Sequence, residues 1–554
     1  MIQLCLGVGR LAGNFCIKGG VMNTLLLLGA VILIACIIGN KFSARVGIPT
    51  LFIFIALGMV FGSDGLLKIE FSDYNLCEKI CSTALIFIMF YGGFGTKWSA
   101  AKPVAAKSIL LSTFGVIITA CLTGLFCYFA LGTSLLEGML IGSVLGSTDA
   151  ASVFAILRSH RLNLKYGTAS MLEIESGSND PCAYMLTVIF LSAMDGTVSA
   201  GNILYSIFAQ VVYGGAAGFL IALIAKKILK KFKFGSEGLD SVFLVAVGLA
   251  AYAIPSLLGG NGYLSAYISG IILGNADIPN KKSLVNFFDA FNNMMQMLIF
   301  FLLGLLVFPS QLPSVFLPSL LIALFLTFVA RPAAVFMILT PFRAPLRQQM
   351  LVSWAGLRGA ASIVFAIVAA ISPSYGDEKI FQIVFCVVLL SLLLQGTLLP
   401  LASKKLKMID AHENVLKTFN DYSEETSIQF IRLEIDHSHP WVNRSIREVE
   451  TFPGTLIAAV LRDKEALIPK GSTVLEEGDT VIIAAKEYLD RDGIELSERK
   501  IESGSHLIGK KLRDIDLKKD GLIILIQRGG TDIIPDGEST VEEGDILVLY
   551  SKSS

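Results

Sequence analysis

The sequence predicts a polytopic α-helical membrane protein of about thirteen transmembrane helices, with broken helices and inverted repeats, followed by a C-terminal α/β cytosolic domain. Three observations carry that expectation. Long apolar runs fill the chain as far as about Pro400, whereas from Lys404 onward the composition is that of a soluble protein. Basic residues concentrate in alternate loops. Two of the apolar runs are interrupted in the middle by glycines next to charges.

Composition sets the scale of the first observation. The 554 residues are 54% hydrophobic and 16% charged, with mean hydropathy +0.68, where an average soluble domain is roughly 25% charged. The net charge of zero averages two unlike halves. No nucleic-acid partner is expected, because the tail is mixed and acidic-leaning rather than a basic face interleaved with aromatics. The natural partner of residues 23–402 is membrane lipid. All nine cysteines (5, 16, 36, 77, 81, 121, 127, 182 and 386) fall in the hydrophobic part, and Cys77 with Cys81 reads as small apolar filler rather than a metal pair. Residues 1–22 read as an N-terminal extension; they lack a signal-peptide cleavage signature, and Met22 precedes a better hydrophobic start.

A helix that spans a bilayer core needs about 20 mostly apolar residues. That places spans near 23–40, 47–63, 78–95, 106–131, 135–157, 168–193, 203–225, 239–257, 261–275, 284–308, 314–340, 350–371 and 378–401. Loops after odd-numbered spans carry the bases, among them Lys97, Lys102, Lys107, Arg158, Arg161, Lys165, the lysines from Lys226 to Lys233, Lys281, Lys282, Arg343, Arg347 and Lys404 to Lys407. Loops after even-numbered spans carry little beyond Lys68, Lys79 and Lys379. The positive-inside rule then puts the N-terminus outside and the tail in the cytosol, the location being the cytoplasmic membrane.

Span 2 opens with Arg45-Val-Gly-Ile-Pro49, span 5 holds Gly142, Gly146 and Ser147-Thr148-Asp149, and span 12 holds Gly356-Leu-Arg358-Gly359. Irregular backbone at membrane depth is tolerated only where it is buried in protein or lines a watery cavity. Such interruptions commonly build substrate sites in repeated halves. Spans 5 and 12 lie about seven spans apart, which suggests two related halves.

The charges in these spans are costly, at least about 2.5–3.5 kcal/mol each at the bilayer centre. Asp149, Glu173, Glu175 and Asp180 are the acids of spans 5 and 6; Arg331 and Arg358 are the bases of spans 11 and 12. For Glu175, a structural ion pair with Arg358 or Arg331 is the simpler reading. Asp149 and Asp180 stand instead among hydroxyls and an amide, in Ser147-Thr148-Asp149 and Ser176-Gly177-Ser178-Asn179-Asp180. Glu175, Ser176, Asn179 and Asp180 share one broad helical face. Carboxylates ringed by hard oxygen ligands hold protons or an alkali cation in competition.

At these residues the chain resembles the monovalent cation–proton antiporter superfamily, in its electroneutral sodium/proton-exchanger branch with an Asn-Asp pair. The motifs are Gly146-Ser-Thr-Asp149-Ala-Ala, Glu175-Ser-Gly-Ser-Asn179-Asp180-Pro, Ser269-Gly-Ile-Ile-Leu-Gly-Asn275 and Trp354-Ala-Gly-Leu-Arg358-Gly-Ala-Ala-Ser, over about 23–400. The resemblance implies a transporter rather than an enzyme. It makes Asp180 the principal cation and proton carrier, with Thr148, Asp149 and Ser176 as cation ligands at crossed, unwound helices. Asn179 stands where electrogenic relatives have a second aspartate, implying one cation for one proton. Glu175 and Arg358 match a structural ion pair. The family also implies thirteen spans, a tail inside, and a homodimer whose six-helix core moves against a dimerisation domain. One departure is Phe90-Tyr91-Gly92-Gly93-Phe94: sodium-specific relatives have a glutamate before the glycines, and Tyr91 carries no charge.

The tail follows a linker at 403–425. Ile428 to Ile435 alternates as a strand does, and the tail repeats with a 66-residue offset. Pro469 with Glu476-Glu477-Gly478-Asp479 recurs as Pro535 with Glu542-Glu543-Gly544-Asp545; Trp441-Val-Asn-Arg-Ser-Ile-Arg-Glu-Val matches Leu507-Ile-Gly-Lys-Lys-Leu-Arg-Asp-Ile. Both copies, 426–490 and 491–554, resemble the C-terminal ligand-binding subdomain of potassium-conductance regulators (RCK C or TrkA-C type). No glycine-rich dinucleotide-binding unit precedes them. The resemblance implies a cytosolic regulatory ligand, a cyclic dinucleotide being one candidate, and no other cofactor. Asp436-His437-Ser-His439 reads as a solvated strand end rather than a metal site, and His160 as an ordinary surface histidine; no metal beyond the transported alkali cation is expected.

Potassium is favoured over sodium, because the tail resembles regulators of potassium systems and Tyr91 replaces a sodium-type acid. A ligand-gated cation channel would need a filter of backbone carbonyls, and no Thr-Val-Gly-Tyr-Gly-like loop is present. No His-Glu-x-x-His or Gly-x-Ser-x-Gly of a membrane enzyme lies on a span.

Overall fold

Helix-forming apolar runs punctuated by caps and glycines give the first of two units, Met1–Glu424; the second is Glu425–Ser554. The computed structural model describes the chain apart from residues 1–20, 47–49, 160–161, 197–199, 233–236, 411–427, 438, 450, 452–454, 463–464, 468, 487–493, 502–504, 506, 516–520, 529–530, 534 and 553–554. The N-terminal extension up to residue 20, the Gly47-Ile48-Pro49 opening of span 2, His160 and most of the linker lie outside the described residues.

The first unit runs α1 (Val21–Val46), α2 (Thr50–Phe61), α3 (Tyr74–Gly95), α4 (Ala105–Leu131), α5 (Leu135–Val144) and α6 (Ala150–Ser159). It continues with α7 (Thr168–Met194), α8 (Ala200–Lys231), α9 (Glu237–Leu257), α10 (Gly262–Gly274) and α11 (Lys281–Leu306). It ends with α12 (Pro309–Leu339), α13 (Leu346–Trp354), α14 (Ala360–Ile371) and α15 (Lys379–Lys405). Among the described residues, 7 helices are long and apolar enough to cross a membrane. The protein is thus a multi-pass membrane protein, with shorter apolar helices such as α2, α5, α10 and α14 completing the bundle.

Side chains start several helices. Asp73 accepts from Leu76 N at 2.9 Å to open α3, and Asn261 accepts from Leu264 N at 3.0 Å to open α10. The glycine motif of α10 serves packing. Gly270 and Gly274 lie against the backbone of Phe90 and Phe94 on α3, where any Cβ would collide. Small residues four apart let two helices approach closely where lipid offers no hydrophobic drive.

Both glycine-and-charge interruptions are real breaks. α5 stops at Val144 and α6 starts at Ala150; α13 stops at Trp354 and α14 starts at Ala360. The two extended stretches cross, tied by Asp149 N donating to Leu357 O at 2.8 Å. Three long spans also contain π turns, at Leu111–Gly115, Leu326–Ala330 and Ser391–Gly396.

Between α6 and α7 a short strand β1 (Asn163–Leu164) pairs antiparallel with β2 (Ile409–Asp410), just beyond α15. Lys165 N extends the ribbon to Met408 O at 2.9 Å, and Met408 is fully buried in a cluster with Leu157 and Leu164.

The second unit holds two four-stranded antiparallel sheets. β3 (Ile428–Glu434), β4 (Leu456–Arg462), β5 (Glu465–Leu467) and β6 (Thr480–Lys486) lie in the order β3-β6-β4-β5. β7 (Ile494–Lys500), β8 (Gly521–Arg528), β9 (Thr531–Ile533) and β10 (Ile546–Lys552) repeat it as β7-β10-β8-β9. The register shift in β4 between Ile457 and Ala459 recurs at the matching place against β8. The repeated Glu-Glu-Gly-Asp turn has one physical cause in each copy. Gly478 and Gly544 take φ of 88° and 87°, which only glycine adopts without strain. The aspartate that follows is buried and grips an arginine: Asp479 takes Arg462 Nε and Nη2, both at 2.8 Å, and Asp545 takes Arg528 Nε and Nη2, both at 2.9 Å. Hydrogen bonding to these guanidinium groups holds both carboxyls below the usual aspartate range.

Candidate functional site: a carboxylate cavity at crossed half-helices

The breaks create the site. Just beyond the end of α5, Arg358 satisfies two carbonyls of the extended stretch: its Nη1 donates to Gly146 O at 3.0 Å and Ser147 O at 2.7 Å. A guanidinium at a helix C-terminus also opposes the negative end of its dipole. Arg358 is fully buried, and its backbone N is held by Ser391 Oγ at 3.1 Å. The positive N-terminal ends of α6 and α14 face the cavity, which Ala150, Gly359 and Ala360 line. Gly359 is needed for room, since a Cβ there would stand 2.7 Å from Asp149 Cγ.

The ion pair of Glu175 is with Arg331, at 2.5 Å, both side chains buried. Arg358, the partner that the resemblance favoured, holds the α5 carbonyls instead. The contact leaves both Glu175 oxygens without an aligned hydrogen bond. Gly356 packs on this pair, where a Cβ would lie 2.8 Å from Arg331 Nε.

Asp180 sits on α7, buried, and accepts a short hydrogen bond from Ser147 Oγ. It has no ion pair among the described residues. Pro181 beside it cannot donate to the carbonyl of Gly177, a residue that lines the same cavity. Asp149 is engaged differently: its carboxylate caps α6, accepting from Ser152 N at 3.2 Å and from Ser152 Oγ. Ser176 Oγ bridges the break, donating to Thr148 O at 2.8 Å and accepting from Ala150 N at 2.9 Å. Asn179 donates its amide to Thr148 Oγ1, and its Oδ1 is buried without a partner. Asn179 is not part of the cavity lining, whereas Thr148, Asp149, Ser176 and Asp180 are.

The cavity measures about 230 Å³. Its lining adds residues beyond those the sequence singled out for the site: Ser147, which touches Asp180, Glu173, and a stripe on α11 of Asp289, Asn292, Asn293 and Gln296. The stripe has i, i+3, i+4, i+7 spacing on an apolar span, a signal present in the sequence. Tyr91 stands on the cavity wall and donates to Asp289 Oδ1 at 2.9 Å. In the tail, His439 Nδ1 accepts from Trp441 N at 3.2 Å, and the exposed His437 lies 4.0 Å from Glu477.

Crossed, interrupted helices around a buried carboxylate, at a cavity lined in part by hydroxyls, amides and carboxylates, define an ion-coupled secondary transporter. The chain belongs to the transmembrane sodium/hydrogen exchanger family, whose pattern matches residues 30–405, and it carries two TrkA-C domains at 430–487 and 496–554. It is similar to the K(+)/H(+) antiporter NhaP2 of Shewanella sp. (strain MR-4), 35% identical over 477 residues, covering 84% of this chain and 82% of that protein. It is 32% identical over 471 residues to the K(+)/H(+) antiporter NhaP of Alkalimonas amylolytica, covering 84% and 81%. Among solved structures it resembles the sodium proton antiporter MjNhaP1 of Methanocaldococcus jannaschii, with TM-score 0.61 and 26% identity over 69% of this chain and 99% of that one.

Proposed function

We propose that this protein exchanges potassium for protons across the cytoplasmic membrane, one for one, through Asp180. The observation that carries this reading is a buried carboxylate with a single hydroxyl partner, Ser147, at a cavity that Thr148, Asp149 and Ser176 also line. Such a group is stable in only two ways: protonated, or charged with a desolvated cation beside it. The two states exclude each other, so the site couples their movement. Potassium is supported by the two relatives named for K(+)/H(+) exchange and by Tyr91, which leaves the cavity without a glutamate at that position. Asn179 adds an oxygen without a titratable charge, which supports electroneutral turnover.

In this reading α5 with α6, and α13 with α14, are each one interrupted crossing, which gives about thirteen spans. The N-terminus is outside, the tail is cytosolic, and the protein works as a homodimer. The paired TrkA-C domains regulate exchange by binding a small anionic cytosolic ligand, a cyclic dinucleotide being the candidate. Reconstituted vesicles with an imposed pH gradient test the ion: potassium should collapse the gradient at lower concentration than sodium or lithium. A preference for sodium would transfer the reading to the sodium proton antiporters that MjNhaP1 represents.

A further inference from the structure

We infer that Asp289 and Asn292 form a second cation station in the cavity, on α11 rather than on the Asp180 helix, that receives a partly hydrated alkali cation before Asp180 does. This rests on the exchange reading above. Three observations place it there. First, Asp289 is held by Tyr91, whose hydroxyl donates to one oxygen at 2.9 Å, and by Asn293, whose amide donates to the other at 3.4 Å, with no base paired to it among the described residues. Second, Asn292, one turn on, lines the cavity with only 8% of its surface exposed, and its Oδ1 has no hydrogen-bond partner. A buried amide oxygen without a donor is costly unless something supplies positive charge, and a cation does. Third, the exposure is graded along the helix: Asp289 and Asn293 are exposed, Gln296 half-buried and Asn292 buried.

Position along the membrane gives the order. Asp289 is eight residues from the start of α11 at Lys281, about 12 Å at 1.5 Å per residue. Asp180 is twelve residues from the start of α7 at Thr168, about 18 Å. Arg161 and Lys165 precede α7, and Lys281 and Lys282 open α11; the charge pattern puts both helix starts on one side, so Asp289 is nearer that side.

The two walls also differ in what they pack against. α11 packs chiefly on α2 and α3 and touches α14, whereas α7, which bears Asp180, packs chiefly on α4 and α5 and less on α6, α10 and α14. If the second group moves past the first, a cation on Asp180 leaves Asp289 behind. Asp289 then favours cation binding in one arrangement only, and differential affinity of that kind is what biases a two-state transporter.

The test is rubidium binding to the full-length protein in nanodiscs, followed by scintillation, together with potassium-dependent exchange in vesicles. The Asp180→Asn protein should still bind rubidium, and adding Asp289→Asn should abolish the remainder. In exchange, Asp289→Asn should raise the half-saturating potassium concentration about tenfold at low ionic strength. The rise should shrink as inert salt is added, because the screening length falls to about 8 Å at 0.15 M. Asp289→Asn preserves an acceptor for Tyr91, so Tyr91→Phe separates charge from helix contact, and Asp289→Glu should restore the salt-dependent behaviour. Equal rubidium binding by Asp180→Asn with and without Asp289→Asn overturns the station, as does a Tyr91→Phe effect equal in size and salt dependence to that of Asp289→Asn. Failure of the exchange reading looks different: wild-type vesicles would then show no cation-dependent pH change, while the binding measurement would still decide the station.

Discussion

In the tail, Asp479 and Asp545 are buried and each is closed in by the two-nitrogen grip of an arginine. In the membrane half Asp180 is equally buried and has one serine hydroxyl. The same residue type therefore serves two ends, and the partner decides which. A guanidinium fork satisfies a carboxylate so completely that it neither titrates near neutrality nor accepts a cation. A single hydroxyl leaves the rest of the carboxylate open. Glu175 on Arg331 is the membrane half's buried ion pair, whereas Asp180 and Asp149 have serine partners instead.

The contrast is broken most sharply at Asp180. Asp180→Asn should abolish exchange in reconstituted vesicles while the protein still elutes as a folded species; gradient collapse at the wild-type rate would put the carrier elsewhere. Next in size is the membrane pair. Glu175→Ala or Arg331→Ala leaves one charge buried and alone, at a cost of about 3–5 kcal/mol. Each should lower the melting temperature more than Asp180→Asn does, and equal melting of all three would remove the distinction between paired and unpaired acids.

Smaller and local is the tail. Arg462→Met should strip hydrogen-exchange protection from β3 to β6 in the full-length protein and spare β7 to β10; loss in both copies would mean that they do not fold independently. Acid sharpens the same point. Asp479 and Asp545 are depressed below their unfolded value of about 3.9, so their stabilisation is complete above that value and is lost as pH falls through the lower folded values. Tail protection should therefore be flat from neutrality to about pH 5 and decline only below about pH 4. The smallest expected effect is none at all: clamping the membrane potential should leave the steady exchange rate unchanged, and sustained current on a supported membrane would contradict one-for-one exchange.

The crossing was legible because glycine beside charge inside an apolar run weakens the helix and strands a charge in lipid unless the backbone opens there into a polar space. Gly146 to Asp149 and Gly356 to Gly359 are the two breaks that the structure contains. Which arginine meets Glu175 was not legible. A π turn at Leu326–Ala330 lies immediately before Arg331 and shifts the helical phase there, so a 3.6-residue count along span 11 aims Arg331 wrongly. The division of labour between Ser147 and Thr148 depends on side-chain direction in an extended stretch, where no helical period applies. In the tail the repeat was plain, but the partner of Asp479 lies 17 residues upstream in Arg462, a pairing set by how β4 and β6 align. The α11 stripe had readable spacing; that it faces a cavity is a property of the assembled walls.

The ribbon of β1 and β2 gives the molecule a load path. The chain that leaves α15 lies against Asn163 and Leu164, the short segment between the half-helix begun by Asp149 and the helix that bears Asp180. Asp410 is thus held by a backbone hook on the segment that joins α6 to α7. Because Met408 is wedged in the same cluster as Leu157 and Leu164, the hook is anchored by packing as well as by hydrogen bonds.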